Sequence, residues 1–278
     1  MRCKLCANPV HVRPHMTRKK PTHQQVATDA LERAILAIGT SDFIACATDY
    51  LRASVWFKGV FVSELRGRKP PRHVYDNVQS DRRYDVVDTY LDRSYLLDPF
   101  FDSYLKDPSS RIATLNEVSP DRFHSSTYFK VYYNGLNLQD EIGIFVQLST
   151  KSTLFYSLGR RHDERRFSKP EIAAFHTLLP VFAALNKQHF NRALRSDPDQ
   201  GTGHSIDSAL AQFGQGVLTP REQEIANLIL KGHSSRSIAA RTETSVGTVK
   251  THRKNLFRKL QISSQGELFH AFFNGTHV

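Results

Sequence analysis

Among 278 residues there are three cysteines, one tryptophan and two methionines, and the scarcities set the first limits. Cys3, Cys6 and Cys46 are too few for a disulfide framework, which points to a reducing compartment. The longest uncharged apolar run, LLPVFAAL, falls far below the ~20 residues that span a bilayer, so no membrane partner is expected. The opening MRCKLCANPVHVRPHMTRKK has neither an acid nor an apolar segment, which excludes a secretory signal. Pro9, Pro14 and Pro21 would break the amphipathic helix of an organelle transit peptide. A cytoplasmic, nucleoid-associated protein is the expectation. Also missing are GxSxG, a glycine-rich phosphate loop and HExxH. No catalytic residue and no cofactor is implied, and the chain is not expected to be an enzyme.

Charge is present, but unevenly. The formal net charge is +11. Residues 1–20 hold six Lys and Arg and no acid, while residues 215–278 hold nine against four acids. The stretch between is therefore neutral. A neutral body with two basic ends fits a polyanionic partner, because clustered cations raise the local potential that draws phosphates.

Composition divides the chain into a basic disordered arm (1–23), a sensor-sized α/β region (24–190), a linker (191–215) and a small C-terminal domain (216–278). Helical spacing runs from about Val26 to Ala53 with a break at Gly39 and Thr40. SVWFKGVFVSEL, RHVYDNV, the segment Ile112 to Val118, EIGIFVQLS and TLFYSLGRR read as strands. Residues 83–106 and 128–133 return to helical spacing, and SKPE (168–171) opens a helix to about Phe190. The expected fold class is α+β: an α/β/α sandwich around an antiparallel sheet, followed by an all-α four-helix unit.

The second unit is the more explicit. In LTPREQEIANLILKG, Thr219 with Glu222 forms a capping box with Pro220 at the first turn, and Gly232 ends the helix. SSRSIAAR makes a short helix capped by Ser234 or Ser235, a tight turn follows, and Ser245 caps SVGTVKTHRKNLFRKL. Ser264 with Glu267 opens a fourth helix. Two helices joined by such a turn have helix-turn-helix geometry. On a helical wheel Val249, Leu256 and Leu260 form one stripe, while Gly247, Thr251, Lys254 and Arg258 fall opposite with Lys250 on their flank. Cations on the outward face suit a major groove, where they reach guanine acceptors or phosphates.

With its LTPRE, the IA of helix two and TVKTH followed by N, L and KL in register, this segment resembles the LuxR-type (GerE-like) DNA-binding domain. The resemblance implies double-stranded DNA as partner and a homodimer. It implies base reading by Lys250, Thr251 and Lys254. Thr248, His252, Arg253, Arg258 and Lys259 are the expected phosphate contacts, with Ser235 and Arg236 at the start of helix two binding phosphate through helix-end amides and charge. Helix four, through Leu268, Phe269 and Phe272, would be the dimerisation helix, with simple core packing as its other reading. The sequence departs from the family at Thr242 and Thr244 in the turn and at Gln261, where glycine is usual.

Upstream, YLDRSYLLDPFF with Tyr95, Asp98 and Pro99 resembles a segment of the acyl-homoserine-lactone-binding domains carried by many such regulators. Asp85 and Thr89 stand where those domains have Trp and Tyr, so a lactone is not the expected ligand. A PAS- or GAF-like sensor for a small molecule is expected instead, with Trp56, Tyr95 and Asp98 as its pocket. The expected function is a dimeric, ligand-controlled, sequence-specific regulator of transcription. The alternative is a nucleic-acid-binding protein that uses its basic ends without sequence choice. Cys3, Cys6, His11 and His15 have spacing compatible with zinc, although a disordered arm also accounts for them, and no metal is expected.

Overall fold

The structure is a computed structural model that describes residues 22–193 and 213–273. Helix α1 (His23–Leu36) starts at a capping box in which Thr22 and Gln25 exchange hydrogen bonds, and α2 (Phe43–Ser54) follows the turn at Gly39 and Thr40. A five-stranded antiparallel sheet comes next in the order β2-β1-β5-β4-β3: β1 (Gly59–Leu65), β2 (Arg72–Asp76), β3 (Arg111–Thr114), β4 (Leu138–Ser149) and β5 (Ser152–Arg161). Between β2 and β3 the chain makes short helical turns and then α3 (Pro99–Lys106). After β5 runs α4 (Lys169–Ala193). No helix among the described residues is long and apolar enough to cross a membrane.

Two expectations about strands need correction. The strand expected from Ser54 begins only at Gly59, because α2 continues through Ser54 and ends at the extended Val55. The strand expected from Ile112 to Val118 stops at Thr114, whose side chain caps a helical turn at Leu115–Val118 while Glu117 bonds back to its amide. That local capping box outcompetes strand pairing for the last residues.

The period of two decides what each face of the sheet meets. Val60, Val62, Ile142, Ile144, Val146, Leu154, Tyr156 and Leu158 point into a core closed by α1, α2 and α4, with Phe43, Phe175 and Phe182 among its buried rings. The alternate residues, Phe61, Glu141, Gly143, Phe145, Phe155 and Ser157, face the other way, toward α3 and the helical turns. A Cβ at Gly143 would lie 2.6 Å from the Phe100 ring and 2.8 Å from Phe155. Glycine is what lets Phe100 lie against the strand. Gly143→Val is accordingly expected to cost about 1–3 kcal/mol by overpacking, read as a lower midpoint in urea unfolding.

α4 is anchored by one buried cation. Arg160, its side chain 3% exposed, pairs with Glu171 at 2.8 Å, donates to the carbonyls of Trp56, Arg165 and Arg166, and lies 4.0 Å over the Phe167 ring. Glu171 also accepts from the Ser168 amide and hydroxyl, completing the turn foreseen in SKPE.

Four helices make the C-terminal unit: α5 (Pro220–Leu230), α6 (Ser235–Arg241), α7 (Val246–Lys259) and α8 (Gln265–Phe273). Their buried side chains join one apolar cluster with the second face of the sheet. The junction is specific. Lys231 Nζ is 2.5 Å from Asp102 on α3, the Ser234 amide donates to Asp121, the Arg122 amide donates to the Gly232 carbonyl, and Arg93 donates to the carbonyls of Phe272 and Phe273. Gly232 adopts φ +90° and its absent Cβ would sit 2.9 Å from the Phe123 Cα, so only glycine permits this approach.

Candidate nucleic-acid interface and ligand cavity

The helix-turn-helix is built by side chains that satisfy helix ends. The Thr219 side chain accepts from the Glu222 amide at 3.3 Å, that of Ser234 from Ser237 at 3.1 Å, and that of Ser245 from Thr248 at 3.0 Å. Between the two alternatives for the second helix, Ser234 is the cap. In the turn, buried Thr242 hands its hydroxyl proton to the Ile238 carbonyl at 2.8 Å, which is how a polar residue is accommodated where apolar ones are usual. Glu243 and Gln261 both take positive φ, 50° and 54°. At Gln261 a side chain occupies the left-handed conformation that favours glycine, a strain of roughly 1 kcal/mol.

Helix α7 buries Val249 and Leu256 against α5 and α6, with Leu260 closing the stripe as its C-cap. Lys250, Thr251, Lys254 and Arg258 are exposed on the far side, as is Thr248 near the N-terminus. The three cations make no hydrogen bond or ion pair among the described residues. Thr251 donates its hydroxyl to the Gly247 carbonyl at 3.1 Å, which leaves its methyl as the outward group. His252 and Arg253 are half-buried, and the Arg253 guanidinium lies 5.2 Å from the Phe257 ring centre, stretched over the edge of the core. Arg236 is exposed at the start of α6 and Ser235 half-buried beside it.

This geometry bears on three expectations. Lys259 is expected at phosphate, but its ammonium donates to Glu222 at 2.6 Å inside the unit. Burial opposes ionisation of Glu222, yet hydrogen bonds from Lys259 and Thr219, with the charge of Lys259, hold its carboxyl below the usual range. Replacing it by Gln is expected to destabilise the C-terminal unit by about 1–3 kcal/mol, because the charged partner of Lys259 is lost while the capping box is kept; chemical denaturation followed by circular dichroism measures this. Secondly, at the start of α6 the Ser234 amide donates to Asp121 and the Ser237 amide to the Ser234 side chain, while among the described residues the amides of Ser235 and Arg236 stay open for the expected phosphate. Thirdly, Leu268, Phe269 and Phe272 are buried within their own chain, where Phe272 meets Phe213 edge-on at 5.5 Å. These three pack a core, the other reading that the sequence offered for them.

A cavity of about 90 Å³ lies between the second face of the sheet and the helical turns. Of its expected lining residues only Asp98 belongs. Trp56 is 59% exposed on the far side of the domain, its indole donating to Glu164, and Tyr95 is buried behind the wall against Tyr90 and Phe101. The sequence reading missed Tyr90, Tyr128, Tyr132, Tyr133, Glu141 and Ser157. Two signals pointed to them: the aromatic density of YFKVYY, and the alternation in EIGIFVQLS that sets Glu141 on the face of Gly143 and Phe145. Two single π-helical turns, Tyr84–Asp88 and Phe129–Tyr133, flank the cavity and are tied by the Tyr132 hydroxyl donating to the Val86 carbonyl at 2.9 Å. Such turns recur at functional sites.

Two acids and the hydroxyls around them make the polar part of the cavity. Tyr90 donates to Asp98 at 2.6 Å, Tyr133 to Glu141 at 2.7 Å, and Ser157 to the other oxygen of Glu141 at 2.5 Å. Asp98 also caps α3 by accepting from the Phe100 amide at 2.8 Å. Burial, reinforced by the charge of Glu141, pushes Asp98 up to about 8. Burial raises Glu141 as well. Cys3, Cys6, His11 and His15, whose spacing is compatible with zinc, lie outside the described residues.

Comparison with known proteins agrees with this arrangement. Residues 216–272 match the GerE family, described as bacterial regulatory proteins, luxR family. The chain is 31% identical over 184 residues to a protein of Aeromonas salmonicida assigned as an HTH-type transcriptional regulator in the exeN 3' region, covering 64% of this chain and 93% of the relative. It is 24% identical over 200 residues to the monoamine regulon transcriptional regulator of Klebsiella aerogenes, covering 72% of this chain and 76% of that one. In fold it resembles the VqsR LBD domain from Pseudomonas aeruginosa, with a TM-score of 0.52 at 21% identity, over 59% of this chain and 96% of that one. The relatives named here are regulators of transcription. A sensor-like α+β domain that ends in a capped helix-turn-helix, with this similarity along most of the length of a regulator, places the chain in the luxR family of bacterial regulatory proteins.

Proposed function

We propose that the protein is a sequence-specific transcription regulator that grips double-stranded DNA as a homodimer and answers to a small molecule in the cavity of its N-terminal domain. The observation that carries the reading is the outward face of α7, where Lys250, Lys254 and Arg258 stand exposed and unengaged beside Thr251 on a fully capped scaffold. In this reading Lys250, Thr251 and Lys254 meet base edges, while Thr248, His252, Arg253, Arg258 and Arg236 meet phosphates. The protein acts in the cytoplasm at the nucleoid. Leu268, Phe269 and Phe272 are engaged internally, so a dimer contact uses other side chains, and paired readers require half-sites about one helical turn apart.

Control has a short path. Asp98 at the cavity caps α3, and Asp102 one turn later on that helix holds Lys231 of the DNA-binding unit. A ligand that displaced Asp98 would move the same rigid helix that holds the junction. Competition among genomic fragments for the full-length protein tests the reading. Retention of a few fragments with paired, regularly spaced motifs is expected. Indifferent binding of all fragments in proportion to length would overturn it in favour of charge-driven binding.

A further inference from the structure

We infer that the cavity of the N-terminal domain takes a small organic cation, an ammonium group on a short apolar body, held between the carboxyl groups of Asp98 and Glu141 and the faces of the surrounding tyrosines. This rests on the proposal that the domain is a ligand sensor and narrows it to a chemical class.

Among the described residues the acids of the cavity have no positive partner in its wall. Asp98 and Glu141 are 3% and 6% exposed and both line it, yet no Lys, Arg or His is among the lining residues. Two buried carboxyls without a cation are costly, and their hydrogen bonds from tyrosine and serine hydroxyls compensate only part of that. The remaining wall is aromatic: Tyr90, Tyr128, Tyr132, Tyr133, Phe61 and Phe155. Ring faces carry negative charge density and attract a desolvated cation. A second, independent sign is Tyr128, 1% exposed, whose hydroxyl is buried without any hydrogen-bond partner while its ring lines the same space. Buried hydroxyls are normally paired, so an orphan beside a cavity marks a place for a ligand's polar group. Size sets the body: about 90 Å³ is smaller than the roughly 150 Å³ that accommodates benzene.

The free cavity then holds Asp98 protonated near neutral pH, faced by Glu141, Tyr90, Tyr128, Tyr132 and Tyr133, with Asp102 nearby on its own helix. A cation favours the ionised acid, so binding releases that proton to the solvent.

The test uses full-length protein and three probes of one size: n-butylammonium, 1-butanol and butanoate. Ligand-observed NMR and calorimetry are expected to show n-butylammonium bound at least about tenfold more tightly than either competitor. Its binding heat at pH 7 should vary with the ionisation heat of the buffer, corresponding to release of about one proton. Asp98→Asn keeps a side-chain oxygen to cap α3, and Glu141→Gln keeps an acceptor for Tyr133; each is expected to weaken the ammonium at least about tenfold and leave 1-butanol unaffected. Equal binding of ammonium and alcohol by the unaltered protein would overturn the inference without recourse to any variant. DNA affinity measured alongside separates the two readings. If the ammonium binds and DNA affinity does not respond, the ligand class stands and ligand control fails. If only the alcohol or the carboxylate binds and shifts DNA affinity, control stands and the ligand class fails.

Discussion

Lys254→Ala is expected to erase preference at one position of the DNA site, costing about 1–3 kcal/mol on the preferred sequence, roughly 5- to 150-fold in affinity, and far less on a scrambled duplex. The physical reason is placement: Lys254 follows Lys250 by one turn on the exposed face of α7, and in the proposed reading this is the part of the helix that faces base edges. Arg258→Ala, one further turn along, is expected to behave differently. It should weaken all sequences alike and flatten the slope of log affinity against log salt by about one, the contribution of one neutralised phosphate. Fluorescence anisotropy at several salt concentrations, on selected and scrambled duplexes, measures both. Equal losses on every sequence for both variants would mean that the division into reading and anchoring residues is mistaken. Lys259→Ala supplies a contrast, because its ammonium is engaged by Glu222, so the loss should appear in stability before it appears in the salt slope.

The second large effect lies far from DNA. Arg160→Ala should destabilise the N-terminal domain by about 3–5 kcal/mol, because it removes the buried partner of the Glu171 carboxylate, which keeps only Ser168 and the exposed Arg165, and leaves three carbonyls without this donor. The thermal midpoint should fall by roughly 6–20 °C. The Arg160 hydrogen bond holds Glu171 down to about 2, against an ordinary value of 4.5. A carboxyl depressed in the folded state stabilises the fold above its unfolded pKa. That contribution is therefore complete above pH 4.5 and disappears as pH falls toward 2. Urea midpoints of the parent should drop across this acid window, and those of Glu171→Gln should drop less. A parent and variant with parallel acid profiles would show that the pair does not carry this pH dependence.

Much of the molecule is legible from local signals. The capping residues Thr219, Ser234, Ser245 and Ser264 each sit at a helix start, since an N-cap is decided within four residues of sequence. The stripe Val249, Leu256 and Leu260 named the buried side of α7, and the opposite side was thereby outward. Strands β4 and β5 announced themselves by alternation. What failed was whatever depended on a competing partner. Thr114 turned from strand to cap because Glu117 lay three residues on. Trp56 was read as a pocket residue because tryptophans usually serve cores and pockets, and here the chain left it on the surface beside Glu164.

The sequence by itself determined the two-part architecture, the helix-turn-helix and the identity of its outward cations, because helix caps and the 3.6-residue period are properties of neighbouring residues. Only the tertiary structure decided that Lys259 belongs to Glu222, that Asp121 holds the Ser234 amide, and that α8 is core. Only it gathered Asp98, Glu141 and four tyrosines from separate segments around one cavity. Those facts depend on which distant elements meet, and the meeting is set by packing of the sheet's second face against α3 and the C-terminal helices, which no local pattern encodes.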